Sequence, residues 1–433
     1  MSFKPRVVLG TWVFSLVLFV GVFSPTASGL EAGAFSVDVT PAEQMPVSGG
    51  IGTPSPTTMT KGRLEVRALV LADGDTRVAI VSVPFIGFPS VLINRIRAGV
   101  EGIPPENILV GATHTHSAPD MYAFPDQTGK LGADLDYIDL VCRRATDAIN
   151  QASAALSPVS LKVATADAAE RIAYNYYAPN LYDRRCDVLQ AIGADGNAVA
   201  TLVNYAIHPE VLGPDRGILS PDLIGPLYDR IAELGGGIGI FMNGAQGGMV
   251  TADCRVPDGD GREQNNTWEE CIRIGHLLGD EAMRIVGDAS VQSYAQLWCS
   301  ATDVTFPVDN PGFRALIGGS PLKYEMSDDF KVTTQVNVVN VGTAQMLTIP
   351  GEALPNIGFF LKRNMHGSSN FLLGLTNDAF GYILTREDFD SFHRYEYVSR
   401  TSLGERTADI FVETSISVVN AAPRPGSLDG GSD

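Results

Sequence analysis

The chain has 433 residues, with 31 Lys and Arg against 49 Asp and Glu, for a formal charge of -18. That balance excludes a nucleic-acid binder, which neutralises phosphates with clustered bases, and it disfavours docking on anionic lipid. With 45% apolar and 18% charged residues the chain is globular, not disordered, and its 45 Gly and 26 Pro point to a loop-rich scaffold.

Lys4 and Arg6 precede an apolar run from Val7 to Phe23, which ends at Pro25 and the small residues Thr26, Ala27, Ser28 and Gly29. This is the layout of a secretory signal over residues 1–29, favoured over a retained membrane anchor because the run is short for a bilayer span. Cleavage would leave a secreted or periplasmic protein, and an uncleaved leader would tether it to a membrane.

The pattern then predicts a short strand from Phe35 to Thr40 and a hairpin, Arg63–Leu71 with Arg77–Pro84, turning at Asp73-Gly74-Asp75. A helix is expected from Ser90 to Val100 and a buried strand from Asn107 to Thr113. Ile138, Val141, Cys142, Ala145, Ala148 and Ile149 recur at helical spacing, so Asp134–Ala155 reads as an amphipathic helix. Strands fit Val159–Ala166, Asp187–Ile192 and Ala198–Ala206, followed by a helix from Pro221 to Leu234 behind a Ser220 cap and a strand from Ile238 to Met242. A further helix runs through Trp268, Ile272, Gly275, Leu278, Ala282 and Ile285, with strands at Tyr294–Phe306, Lys331–Val341 and Ala344–Ile349. Hairpins mixed with helical crossovers predict one compact, loop-rich α/β domain with a mixed sheet over residues 30–420. The Pro/Gly/Ser-rich residues 421–433 read as a disordered tail.

The five cysteines show no CxxC pairing, so a thiolate metal site is not expected. In an oxidising compartment Cys254 and Cys271 are placed to clip the polar loop between them, with five reduced, mostly buried thiols as the equal alternative. Asp258-Gly-Asp260-Gly lacks the glycine that an EF-hand loop places sixth and reads as a solvated loop. Asn265-Asn-Thr267 matches a glycosylation acceptor.

Among six histidines, His114 and His116 leave the end of one apolar strand two residues apart, which in extended backbone places both rings on one face. His208 ends another apolar strand and is followed by Pro209-Glu210. Strand ends are where ligand sites form in α/β sheets, and neutral imidazole is the commonest zinc donor. Glu352, in Pro350-Gly-Glu352, supplies a carboxylate after the strand Ala344–Ile349, or serves as a first-turn helix acid.

Four ordered segments carry a family resemblance: Gly111-Ala-Thr-His-Thr-His-Ser117; Asn204-Tyr-Ala-Ile-His-Pro209 with Ser220-Pro-Asp222; Phe241-Met-Asn-Gly-Ala-Gln-Gly247; and Pro350-Gly-Glu352 with Gly381-Tyr-Ile-Leu-Thr385 and Arg394-Tyr-Glu396. Together they resemble the catalytic domain of the neutral (non-lysosomal) ceramidases and its short bacterial relatives. The resemblance implies a zinc ion held by His114, His208, Glu352 and Tyr382, with His116 as general acid/base and Tyr395 as oxyanion donor, one residue further from Tyr382 than the family spacing. It implies an exported hydrolase in which metal-bound water attacks the amide of ceramide or a related small-molecule or lipid N-acyl compound. Two positions depart from the family: Val250 stands where a serine is expected, with Thr251 beside it, and Tyr176 stands where an arginine follows Asn175. These departures leave open an esterase or amidase acting on a non-sphingolipid substrate, or a catalytically impaired binding protein. Because valine is no nucleophile, direct attack by water is expected in place of an acyl-enzyme.

Overall fold

A computed structural model of the chain describes Met1, Ser2 and residues 29–426, except 127, 170 and 257–262. Residues 3–28 of the expected leader, Asp258-Gly-Asp260-Gly and residues 427–433 of the expected tail lie outside these residues.

The hairpin shows why the core is built in layers. Its strands, Glu65–Asp73 and Thr76–Val83, pair antiparallel around Gly74 and are buried almost throughout. Successive side chains point to opposite faces, so a strand apolar at every position must be covered on both sides. Val66, Ala68 and Val70 pack with Ile138, Val141 and Ala145 of the helix Leu135–Ala154. From the other face Leu69 and Leu71 meet Val339, Val341 and Phe371 of a second sheet. The helix starts where expected because the Asp134 carboxylate accepts the Tyr137 amide at 3.0 Å, a cap worth about 1 kcal/mol.

Among the described residues the larger sheet has nine strands. Eight follow one path, from Ile238–Asn243 through Ala198–Tyr205, Arg185–Gly193, Ser157–Asp167, Glu31–Asp38, Glu65–Asp73 and Thr76–Val83 to Ile108–Ala112. The helices Leu135–Ala154, Ile224–Glu233 and Trp268–Gly287 cover its outer face. The second sheet, Leu297–Pro307, Lys331–Val341, Ala344–Thr348 and Ser369–Leu373, packs on the inner face and is backed by the helices Pro355–Asn364 and Thr407–Ala421. The architecture is a mixed α/β stack with the two sheets inside.

The larger sheet curls until its two ends approach. Ser82 Oγ donates to the Phe241 carbonyl at 2.6 Å, Arg67 Nη1 to Gly239 at 3.1 Å, and Asn243 Nδ2 to Thr113 at 3.1 Å. No ladder joins the end strands, so the roll is not a closed barrel. Instead the segment Gly374–Asn377 lies between them: the Gly374 amide donates to Asn243, the Ala112 amide to Leu375, and the Asn377 amide to Val110. This closure brings the ends of Ile108–Ala112 and Ala198–Tyr205 to one place.

Several expectations are corrected. The helix expected from Pro221 starts at Ile224 and has no side-chain cap, because the Ser220 hydroxyl accepts the Asp222 amide and Asp222 takes a left-handed conformation. All five cysteines are free, so Cys254 and Cys271 form no clip. A final helix reaches Ala421, and the Pro423 carbonyl accepts from Asn340 at 2.7 Å, so the start of the expected tail is packed. Glu352 is no helix acid: Glu352–Ala353 pairs with Tyr382–Ile383 in parallel, and the next helix begins at Pro355.

Candidate metal centre

His114 follows the strand Ile108–Ala112 but not in extended form. Its φ is +76°, a left-handed conformation rare for a side-chain-bearing residue, held by the His114 amide on Phe85 and the His116 amide on Pro209. The kink does what simple alternation was expected to do, and the His114 and His116 rings stand edge to face 4.9 Å apart. His208 arrives from Ala198–Tyr205 through a bridge to Thr251, its ring 4.7 Å from that of His114. One ligand atom from each of the three histidines falls within 4.8 Å of the others, a spacing that a metal ion can span.

Glu352 completes the cluster. Its Oε2 lies 3.4 Å from His114 Nε2 and 3.2 Å from His208 Nε2. The opposite nitrogens are committed to backbone carbonyls, His114 Nδ1 to Ile86 at 2.5 Å and His208 Nδ1 to Val250 at 2.8 Å. A carbonyl only accepts, so both Nδ1 atoms carry the proton, and in neutral rings both Nε2 lone pairs then aim at a carboxylate that is also an acceptor. Such a buried meeting of three acceptors is repulsive unless a cation sits among them or the rings are protonated. A second nitrogen tied to a carbonyl is the usual support of a metal-bound imidazole, so the donor set fits zinc. Neither carbonyl had a signal in the sequence, since backbone groups are anonymous there.

Where no metal is present and the rings are protonated, burial opposes ionisation of Glu352, but the charge and hydrogen bonds of His114 and His208 outweigh it and hold the carboxyl well below its usual range. The register depends on Gly247, where a Cβ would fall 2.2 Å from the Glu352 carbonyl oxygen. His116 differs from the other two rings. Burial lowers it to about 4 against the opposing charge of Glu210, its Nδ1 is 3.9 Å from Glu210 Oε2, and its buried Nε2 has no protein partner. Sequence reasoning missed Glu210 as part of the site, though it lies two residues beyond His208.

Tyr382 lies beside Glu352 in the parallel pair and lines the same cavity, its hydroxyl 3.3 Å from Met249 Sδ. Burial first, then the Glu352 charge, pushes its phenol well above 10, so it keeps its proton. Tyr395 is the residue that the structure does not bring in: it stacks on Phe392 at 4.3 Å and is absent from the cavity wall. Tyr397 takes that place, 6.0 Å from the Tyr382 ring, its phenol pushed up to about 12 by burial and then by Glu352 and Glu210. The extra residue in the spacing was the available clue. Val250 is fully buried, Thr251 hydrogen-bonds Glu210, and Tyr176 is 57% exposed and not part of the cavity wall.

The cavity beside the cluster has a volume of about 200 Å³, with His114, His116, Glu352, Tyr382 and Tyr397 at one end and mostly apolar and aromatic walls elsewhere. A convergent polar group at the end of an apolar pocket is the usual layout of a small-molecule site.

No protein-family model and no curated protein matches the chain. Solved structures do: a neutral ceramidase from Pseudomonas aeruginosa superposes with a TM-score of 0.73 at 16% identity, covering 93% of this chain and 76% of that one. A ceramidase complexed with C2 gives 0.72 at 16% identity, over 93% and 77% of the two chains. The chain has the neutral ceramidase fold. At that identity the shared property is the architecture, and chemistry must be argued from this chain's side chains. Within the neutral ceramidase fold, His114 and His116 follow one side of the curled sheet, His208 the other, and Glu352 joins them from the separate pair Glu352–Ala353 with Tyr382–Ile383.

Proposed function

We propose that the chain is a zinc-dependent amidohydrolase cleaving ceramide or a related N-acyl compound, with His114, His208, Glu352 and Tyr382 as metal ligands. The observation that carries this reading is the pair of Nε2 atoms aimed at Glu352 Oε2 with both Nδ1 protons already committed. Zinc held there would polarise a carbonyl and lower the pKa of bound water toward about 7.

The remaining work falls to the chain. The free Nε2 of His116 is placed to take a proton and return it to the leaving nitrogen, because its ring is neutral and no protein group occupies that atom. Tyr382 and Tyr397 keep their phenolic protons and face the cavity, so either can donate to an oxyanion. Val250 has no nucleophilic atom, which supports a single displacement by water over an acyl-enzyme. The leader of residues 1–29 supports export as part of the same proposal.

Metal analysis of the purified protein should return about one zinc per chain, lost in His208→Ala. Zinc-loaded wild type should release fatty acid from a labelled short-chain N-acyl sphingosine, and His116→Ala should be slower by a factor of about 10²–10⁴. Wild type without zinc, or equal turnover by both proteins, would overturn the proposal.

A further inference from the structure

The shape and charge of the cavity narrow the substrate. One wall is a stack of three rings: Tyr122 on Phe124 at 5.3 Å and 15°, and Phe124 on Tyr324 at 5.5 Å and 28°. The stack is braced from behind. Ser320 Oγ and Tyr324 Oη both donate to the Tyr122 carbonyl, at 3.2 and 3.0 Å, and Tyr122 Oη donates to Ala379 at 3.1 Å. Gly87 leaves the room that Tyr122 needs, since a Cβ there would fall 1.9 Å from its hydroxyl oxygen. These three hydrogen bonds anchor Tyr122 and Tyr324 in the wall.

At about 200 Å³ the cavity has room for roughly 13–20 water-sized atoms. A lipid with two long chains exceeds that, so only part of it would be enclosed. Charge selects as well. Among the described residues no Lys or Arg lines the cavity, while Asp378, 3% exposed, and Glu325 do. Asp378 lines the cavity and is held by the amides of Ser90 and Ala379 on its Oδ1, at 3.2 and 3.0 Å. An acidic group lying against Asp378, away from the metal ligands, would be buried beside a carboxylate with no Lys or Arg in the described wall to pair it.

We infer that the cavity selects a compact, single-chain amide that bears no acidic group, and that Phe124 and Tyr324 set the length limit. The inference rests on the amidohydrolase reading. Its test is a series of N-acylethanolamines from acetyl to palmitoyl, with the N-acylglycine of equal length beside each, and a ketone isostere of every member whose binding is followed by calorimetry without turnover. The expected optimum lies at or below the octanoyl chain, with kcat/KM at least tenfold lower for palmitoyl and at least tenfold lower for each glycine conjugate. Phe124→Ala should move the optimum to longer chains, in turnover and in ketone binding alike. A wild-type preference for palmitoyl, for a two-chain ceramide or for the glycine conjugates would overturn the inference and leave the amidohydrolase standing. Ketone binding with the expected size and charge order, but no hydrolysis of any amide, would instead sink the amidohydrolase reading.

Discussion

At the residue scale the site depends on two small facts. His114 occupies a left-handed conformation, and Gly247 carries no Cβ where the Glu352 carbonyl passes. Gly247→Ala should displace Glu352 and weaken zinc at least tenfold in a metal titration, with a stability loss of about 1–3 kcal/mol in urea. Unchanged zinc affinity would show that Glu352 tolerates the shift. The histidines and Glu352 were legible as strand-end donors, because apolar runs mark strands and so few imidazoles leave few choices. The left-handed turn was not, since nothing in Thr113-His114-Thr115 demands it. Neither was Tyr397: it lies in the five-residue helix Glu396–Arg400, too short to show a period, which follows the irregular stretch after Tyr382–Ile383.

At the scale of elements the long strands and the helices Leu135–Ala154 and Trp268–Gly287 were legible from period and caps. The C-terminal third was less so. Thr407–Ala421 is rich in β-branched residues, which blur the helical signal, and five-residue Ser369–Leu373 is too short to tell from a buried turn of helix. What fastens the helix Pro355–Asn364 to the larger sheet is ionic: Lys362 Nζ contacts Asp187 at 2.7 Å and Asp183 at 2.9 Å, with Lys362 and Asp187 almost fully buried. Lys362→Met strands a buried carboxylate and should cost about 3–5 kcal/mol by urea denaturation, while adding Asp187→Leu should recover much of the loss, since Asp183 keeps Arg185. Equal loss in single and double variants would mean that packing, not charge, holds this junction.

For the whole molecule, buried carboxylates set a trend with pH. Burial raises Asp120, Asp222 and Asp378 to about 6, against hydrogen bonds from backbone amides. A carboxyl whose folded pKa lies above its unfolded value near 3.9 stabilises fully below that value and loses the contribution as pH rises through about 6. In Asp222→Asn one share of this loss is gone. The change in unfolding free energy from pH 4.5 to pH 7 should therefore be more favourable in the variant than in wild type. An identical change would show that Asp222 titrates normally.

The curled sheet gives the proposed metal centre a second meaning. His114 and His208 belong to opposite sides of a roll that no ladder closes, and Glu352, 144 residues beyond His208, arrives from a third part of the chain. An ion shared by these donors would be a rivet through the seam. Because it binds only where all three segments have met, its binding energy adds to global stability in proportion to the logarithm of free metal over Kd. Chelation should then lower the melting temperature of wild type and leave that of His208→Ala unmoved. Contacts of such long sequence separation carry a high loop-closure cost, so the seam on which the proposed chemistry depends is also a costly closure for the folding chain.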